Sequence, residues 1–154
     1  MTNEEFAKQI SESEKSLYRV AKSILKNDED CADAIQNAVL KAFHNIGTLK
    51  QEKYFRTWLT RILINECYQI VRERKEQVPY EEYMENWVDS SEYSEVFTAL
   101  MELEEKYRIP FTLHYVEGYS IKEISKILGI SISNVKIRVF RARTKLQERL
   151  EGEV

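Results

Sequence analysis

The stretch YSIKEISKILGISISNVKIRVFRARTKL, residues 119–146, decides how this chain is read. Ser120 and Glu123 make an S-x-x-E capping box, in which each side chain satisfies a backbone N–H that the first helical turn leaves open. Ile121, Ile124, Ile127 and Leu128 give the helix that follows one apolar face. Gly129 permits a tight turn, and Ser131 or Ser133 can cap the next helix. In that helix Val135, Val139, Ala142, Leu146 and Leu150 recur at helical spacing. At about 100° per residue they form a single stripe. The opposite surface carries Lys136, Ile137, Phe140, Arg141 and Thr144, flanked by Arg138, Arg143 and Lys145. Capped helix, glycine turn and basic helix make a helix-turn-helix. Arg and Lys can bond phosphates and guanine edges, and an apolar side chain can meet a thymine methyl. An Arg-rich amphipathic helix can also be plain surface. The outward Ile137 and Phe140, and the capped helix at the right distance before them, argue against that reading.

Working outward, three helical patterns fill residues 1–75. The first covers about 3–26, with Leu17, Val20, Ala21, Ile24 and Leu25 at helical spacing. The cluster at 27–30, Asn-Asp-Glu-Asp, ends it and supplies caps for the next. The second covers about 31–46, with Cys31, Ile35, Ala38, Val39, Ala42 and Ile46 inward and Gly47 as its stop. The third covers about 54–75 over a core stripe of Phe55, Leu59, Ile62, Leu63 and Ile70. Residues 76–92 hold Pro79, aromatics and acids without periodicity and read as a linker. Helical patterns resume at about 93–105 and 107–117. Pro110 is expected in the first turn of the latter, where its missing N–H costs nothing, and Gly118 closes it. No strand alternation or repeat is visible. The expected fold is all-α: two small helical domains, 1–75 and 93–154, joined by an acidic linker at 76–92, the C-terminal one a helix-turn-helix domain.

Net charge is −3 over 154 residues, which by itself argues against nucleic acid. Its distribution reverses the inference. Residues 53–75 carry six Lys/Arg against two Glu, and residues 120–149 carry eight against two. Between them, residues 76–105 hold ten Asp/Glu and no Lys/Arg. A phosphate backbone responds to local potential, so the two basic segments remain candidate DNA surfaces. No apolar run approaches the roughly 20 residues that span a bilayer. The polar, acidic start predicts no secretory signal. Cys31 and Cys67 are far apart, without metal-type spacing, and are expected as reduced thiols.

The third and second helices carry further patterns. Tyr54, Trp58, Arg61, Asn65, Tyr68 and Arg72 form one stripe beside the core stripe. Aromatic rings can stack on unpaired bases, Arg can hold the backbone, and Asn can read a base edge. The alternative for Trp58 and Tyr68 is packing against neighbouring helices. On the second helix, Leu40 falls about 140° from the inward stripe. Asp33, Gln36, Asn37 and His44 surround it and Phe43 stands at the edge. A lone exposed Leu is ordinary; with Phe43 and polar hydrogen-bonders it can also form a protein docking patch.

These residues carry a resemblance. DEDCADAIQNAVLKAFHNI (28–46), with Asp33, Ala34 and Gln36 in a D-A-x-Q pattern, resembles the core-binding helix of extracytoplasmic-function (ECF) sigma factors of the sigma-70 family. FRTWLTRILINECYQIVRERK (55–75) resembles that family's promoter-melting and −10-reading helix. KYRIPFTLHYVEGYSIKEISKILGISISNVKIRVFRARTKL (106–146) resembles its −35-reading domain. The resemblance spans nearly the whole chain. It implies a bacterial, cytoplasmic RNA polymerase sigma factor, nucleoid-associated when in holoenzyme, monomeric when free and not inserted in a membrane. Its partners would be core RNA polymerase (beta-prime clamp and beta flap), promoter DNA and an anti-sigma factor, which in many relatives is membrane-anchored. Core docking would use Asp33, Gln36, Asn37, Leu40 and Phe43. The −10 element would meet Tyr54, Trp58, Arg61, Asn65, Tyr68, Arg72 and the loop 48–53. The −35 element would meet Lys136, Ile137, Arg138, Phe140, Arg141 and Arg143. The acidic linker would thread toward the polymerase RNA-exit path. The chain departs from the pattern at Ala32, where an acid is frequent, at Leu103-Glu104 in place of Leu-Pro, and at Asn134 and Ile137 in place of Ser or Thr.

No metal cluster, phosphate-binding glycine loop or nucleophile–base pair is present in the sequence, so no catalytic centre, metal or cofactor is expected. His44 and His114 lack evident acid partners. The competing expectation is a stand-alone helix-turn-helix regulator, which would need a dimer to read two half-sites and would leave Leu40 and the Tyr54–Arg72 stripe without a role.

Overall fold

The computed structural model describes residues 1–77 and 95–152, the side chains of 75–77 excepted. Described residues form helices and turns, with no strand among them. They fall into two compact units, one on each side of the segment 78–94. The acidic linker expected at 76–92 lies almost wholly outside the described residues.

In the N-terminal unit, α1 (Asn3–Ile24) begins at a capping box between Thr2 and Glu5. Its buried side, Phe6, Leu17, Val20, Ala21 and Ile24, continues into Leu25. Helix α2 (Asp28–His44) starts three residues earlier than expected. Asn27 is its cap, accepting from the Asp30 N–H at 2.8 Å, and Asp28, Glu29 and Asp30 fill a first turn whose dipole favours acids. Gly47 is not a left-handed stop. The helix ends at Asn45, and Gly47 lies in a 3-10 turn at Ile46–Thr48. A second 3-10 turn, Glu52–Tyr54, leads into α3 (Phe55–Gln77).

Packing between α2 and α3 corrects both expected stripes. The deepest residues of α2 are the small ones, Cys31, Ala34, Ala38 and Ala42, while Ile35, Val39 and Ile46 are half-buried. On α3 the core is Phe55, Leu59, Leu63, Ile64, Cys67 and Val71, with Ile62 and Ile70 half-buried. Small side chains let two helix backbones approach closely. The facing helix then supplies the bulk, each buried Leu or Ile contributing about 1.5–3 kcal/mol. Charges tie the unit's ends together. Asp30, itself buried, pairs with Arg74 at 2.8 Å, and buried Glu66 on α3 pairs with Lys41 on α2. Cys31 and Cys67 are free thiols, and burial pushes both up in pKa, Cys31 to about 12.

In the C-terminal unit the helix expected at 93–105 is broken. Helix α4 (Glu95–Met101) ends in a turn, and α5 (Glu105–Phe111) starts after Glu104. Buried Arg108 accounts for the break: its Nη1 donates to the carbonyls of Met101 (3.3 Å) and Leu103 (2.6 Å) that the turn leaves open. With α5 starting at Glu105, Pro110 stands in the helix interior rather than in its first turn. Its ring offers no N–H to the ladder, and the backbone continues as a π turn, Thr112–Val116. Gly118 (φ 78°) closes this helical stretch, as expected. Helices α6 (Ile121–Leu128) and α7 (Ile132–Gly152) follow. Ala99, Leu100, Leu103, Tyr107, Ala142 and Leu146 form one core cluster, with Phe111 and Leu150 against it.

Candidate nucleic-acid and partner interfaces

The helix-turn-helix forms as its sequence dictates. Ser120 accepts from the Glu123 N–H at 3.1 Å and Glu123 returns the bond at 3.0 Å. Gly129 sits in the left-handed region at φ 69°, where a Cβ is unfavourable. Ser131, not Ser133, caps α7, accepting from the Asn134 N–H at 3.1 Å. Val135, Val139, Ala142 and Leu146 are buried beneath the helix. That fixes what faces outward: Lys136, Ile137, Phe140, Arg141, Arg143, Thr144 and Lys145 are exposed and Arg138 is half-buried. Phe140 is 70% exposed and Ile137 49%. Two of the cations are held aside. Arg138 Nε donates to Asn134 Oδ1 at 3.1 Å, and Lys145 Nζ stands 5.4 Å from the centre of the Tyr107 ring. Ser133, exposed one turn before Ile137, also lies on this face. Its spacing of four from Ile137 marks it as an outward residue rather than a cap.

On α3 and the 3-10 turn that leads into it, the six expected residues stay on the outward side. Tyr54, Arg61, Asn65 and Arg72 are exposed, and Trp58 and Tyr68 are half-buried. Trp58 leans on the core ring of Phe55, centroids 5.9 Å apart. It therefore combines a packed edge with an accessible one. Within the preceding 3-10 turn, Lys53 Nζ lies 5.1 Å from the Tyr54 ring centre. Arg72 donates to Gln69 at 2.7 Å along the helix.

On α2, Asp33, Gln36, Asn37, Leu40 and Phe43 are all exposed, Leu40 by 52%. Phe43 packs edge-on to Phe6, 5.5 Å between centroids, and Phe6 in turn meets Phe55 at 5.8 Å. The patch is thus anchored on the core rather than hung from a loose side chain. Beside it a notch of about 240 Å³ opens between α2 and α3, lined by Asp30, Asp33, Asn37, Ile70, Glu73 and Arg74. Among the described residues no cluster of His, Cys, Asp or Glu is placed to hold a metal ion. No helix among them is long and apolar enough to cross a membrane.

Two family models match the chain in this order: Sigma-70 region 2 over residues 10–77 and Sigma-70, region 4 over residues 93–146. Among curated relatives, the ECF RNA polymerase sigma factor SigM of Bacillus subtilis is 31% identical over 141 residues, 85% of this chain and 86% of that one. The SigM factor of Mycobacterium tuberculosis is 30% identical, covering 86% and 70%. RNA polymerase sigma factor SigV of Bacillus subtilis is 27% identical, covering 94% and 90%. The solved sigma factor RpoE from Bartonella quintana, in complex with the anti-sigma factor NepR, superposes with a TM-score of 0.81 at 25% identity, over 96% of this chain and 97% of that one. CnrH, solved with the cytosolic domain of CnrY, has the same fold, with a TM-score of 0.76 at 23% identity, covering 99% and 92%. With both regions matched and relatives at this identity along most of its length, the chain belongs to the ECF group of sigma-70 family RNA polymerase sigma factors.

Proposed function

We propose that three outward faces divide the work of promoter recognition among them. The observation that carries this reading is the separation of chemistries on α2, α3 and α7, each displayed opposite a buried stripe. The α2 patch of Asp33, Gln36, Asn37, Leu40 and Phe43 docks the polymerase clamp. An apolar centre rimmed by hydrogen-bonding side chains is the make-up of a protein interface. The α3 face receives the melted −10 strand: Tyr54, Trp58 and Tyr68 stack on bases, Arg61 and Arg72 hold phosphates, and Asn65 reads a base edge. The α7 face enters the major groove of the −35 duplex through Lys136, Ile137, Arg138, Phe140, Arg141 and Arg143. Residues 1–75 and 93–154 act as the two DNA-reading domains, with 76–92 as the connector toward the RNA-exit path. The C-terminal domain also meets the beta flap.

The protein works as a non-enzymatic specificity subunit in the bacterial cytoplasm, joining the nucleoid in holoenzyme. An anti-sigma factor holds it in reserve, a reading supported by the similar sigma factor RpoE of Bartonella quintana, which was solved with the anti-sigma factor NepR. Binding to purified core polymerase tests the docking face. Leu40→Asp places a charge in an apolar contact and should cut core affinity at least tenfold, while leaving helicity and thermal unfolding unchanged, because Leu40 is not part of the core. Unchanged core affinity would remove α2 from the docking role.

A further inference from the structure

The centre of the α7 face is apolar, and its cations stand at the margins. Ile137 and Phe140 are three residues apart, hence neighbours on the helix surface, and both are largely exposed. Ser133 and Thr144, also exposed, continue the same line toward each end. Arg138 is tied to Asn134 and Lys145 lies over Tyr107. Lys136 and Arg141 flank the centre, each about 70° from the midline between Phe140 and Ile137 by helical geometry. A helix laid in the major groove points its centre at base edges and its flanks at phosphates. The groove floor offers one apolar target, the C5 methyl of thymine; guanine and adenine edges ask for hydrogen bonds that neither Ile nor Phe can make.

We infer that Ile137 and Phe140 are paired specificity determinants that read thymine methyls in the −35 element, an inference that rests on the promoter-reading role of α7. Their side chains displace groove water from two adjacent methyls, on one strand or across the two. Flanking Lys136 and Arg141 supply phosphate affinity and, for Arg141, one guanine edge. Ser at position 137 would present a hydroxyl instead and lose the methyl preference. Ile137 therefore gives this chain a −35 preference distinct from that of its own Ile137→Ser variant.

The test uses holoenzyme reconstituted from purified core polymerase and the full chain. A promoter library randomised across the −35 segment is first selected by transcription. The selected sites should hold A·T pairs at the two positions set by residues 137 and 140, on one face of the groove. Replacing those thymines by deoxyuridine, which removes only the methyl, should lower promoter affinity about fourfold per site, the scale of one buried carbon group. With Ile137→Ser holoenzyme, the uridine promoter and the thymine promoter should bind alike at the position it faces; Ile137→Val should keep most of the discrimination. Circular dichroism should show no loss of helix in either variant, since residue 137 lies outside the core. Selection of G·C at both positions, or equal binding of thymine and uridine promoters by the unaltered protein, overturns the inference. A chain that forms no holoenzyme on gel filtration fails at the earlier step and overturns the promoter reading itself.

Discussion

The outward faces of α3 and α7 are built on the same plan and carry different chemistry. Each lies opposite a buried stripe and is flanked by Arg. On α3 the large side chains are flat rings, three of them with Asn65 between, and two of the rings are partly packed. On α7 the large side chains are Ile137 and the freely exposed Phe140, with hydroxyls in line and cations at the edges. Stacking needs a ring held rigidly at a fixed height, which partial burial provides. Groove reading needs side chains that project fully from a helix lying between phosphate walls. Fractional burial of the aromatic residues thus distinguishes the two faces, where charge alone treats both as basic, and supports the proposed split between unpaired bases and duplex.

That contrast can be broken from the core side. Leu59 is fully buried beneath the α3 face, so Leu59→Ala should cost about 2–5 kcal/mol through the cavity it leaves. Thermal unfolding would record that loss, and −35 duplex binding, which uses the other unit, should survive at a temperature where the variant is still folded. Trp58→Ala with Tyr68→Ala should remove about 1–3 kcal/mol of single-strand binding per base unstacked, read as weaker capture of a −10 oligonucleotide by holoenzyme, with −35 duplex affinity unmoved. Arg141→Ala should do the reverse. It should weaken −35-dependent promoter binding by about 1–3 kcal/mol and leave core binding intact; an equal fall in core binding would make Arg141 structural. Arg143→Ala, a flank substitution, should weaken all duplexes alike and flatten the slope of log affinity against log salt by about 1.

The smallest effect is expected at Asp28, which belongs to neither face. Asp28 accepts a hydrogen bond from Lys22 at 2.8 Å and another from Tyr18, and these hold its carboxyl below the usual carboxylate range. A lowered folded pKa contributes stability above the unfolded value, about 3.9, and loses it as pH falls through the folded value. Asp28→Asn should therefore flatten the acid limb of the stability profile below about pH 4 and change little at neutrality, as chemical denaturation across pH would show.

Much of this was legible in the sequence because it depends on local rules. The Ser120–Glu123 box, the Gly129 turn and the α7 stripe are set by neighbours within one or two turns, and all formed as read. The outward positions of α3 and Leu40 followed from periodicity alone. What escaped depends on distant partners. Hydrophobicity placed Ile35, Val39 and Ile46 inward on α2 together with Cys31, Ala38 and Ala42, but packing against α3 buries only the small residues of that set and adds Ala34. Asp30 and Glu66 look like surface until Arg74 and Lys41 meet them. The break before α5 and the interior Pro110 follow from Arg108 turning inward to bond two carbonyls, and nothing in its local spacing marks an arginine for burial. The acidic connector expected at 76–92 lies almost wholly outside the described residues.

Transcription in vitro with purified core polymerase tests the central claim most directly. Added to core, the chain should create starts at defined promoter positions. Those starts should be lost with the Trp58→Ala, Tyr68→Ala pair and weakened by Arg141→Ala, because opening and anchoring need both faces. Tight binding to duplex by the chain alone, with no promoter-specific start when core is present, would contradict the account and leave a helix-turn-helix regulator in its place.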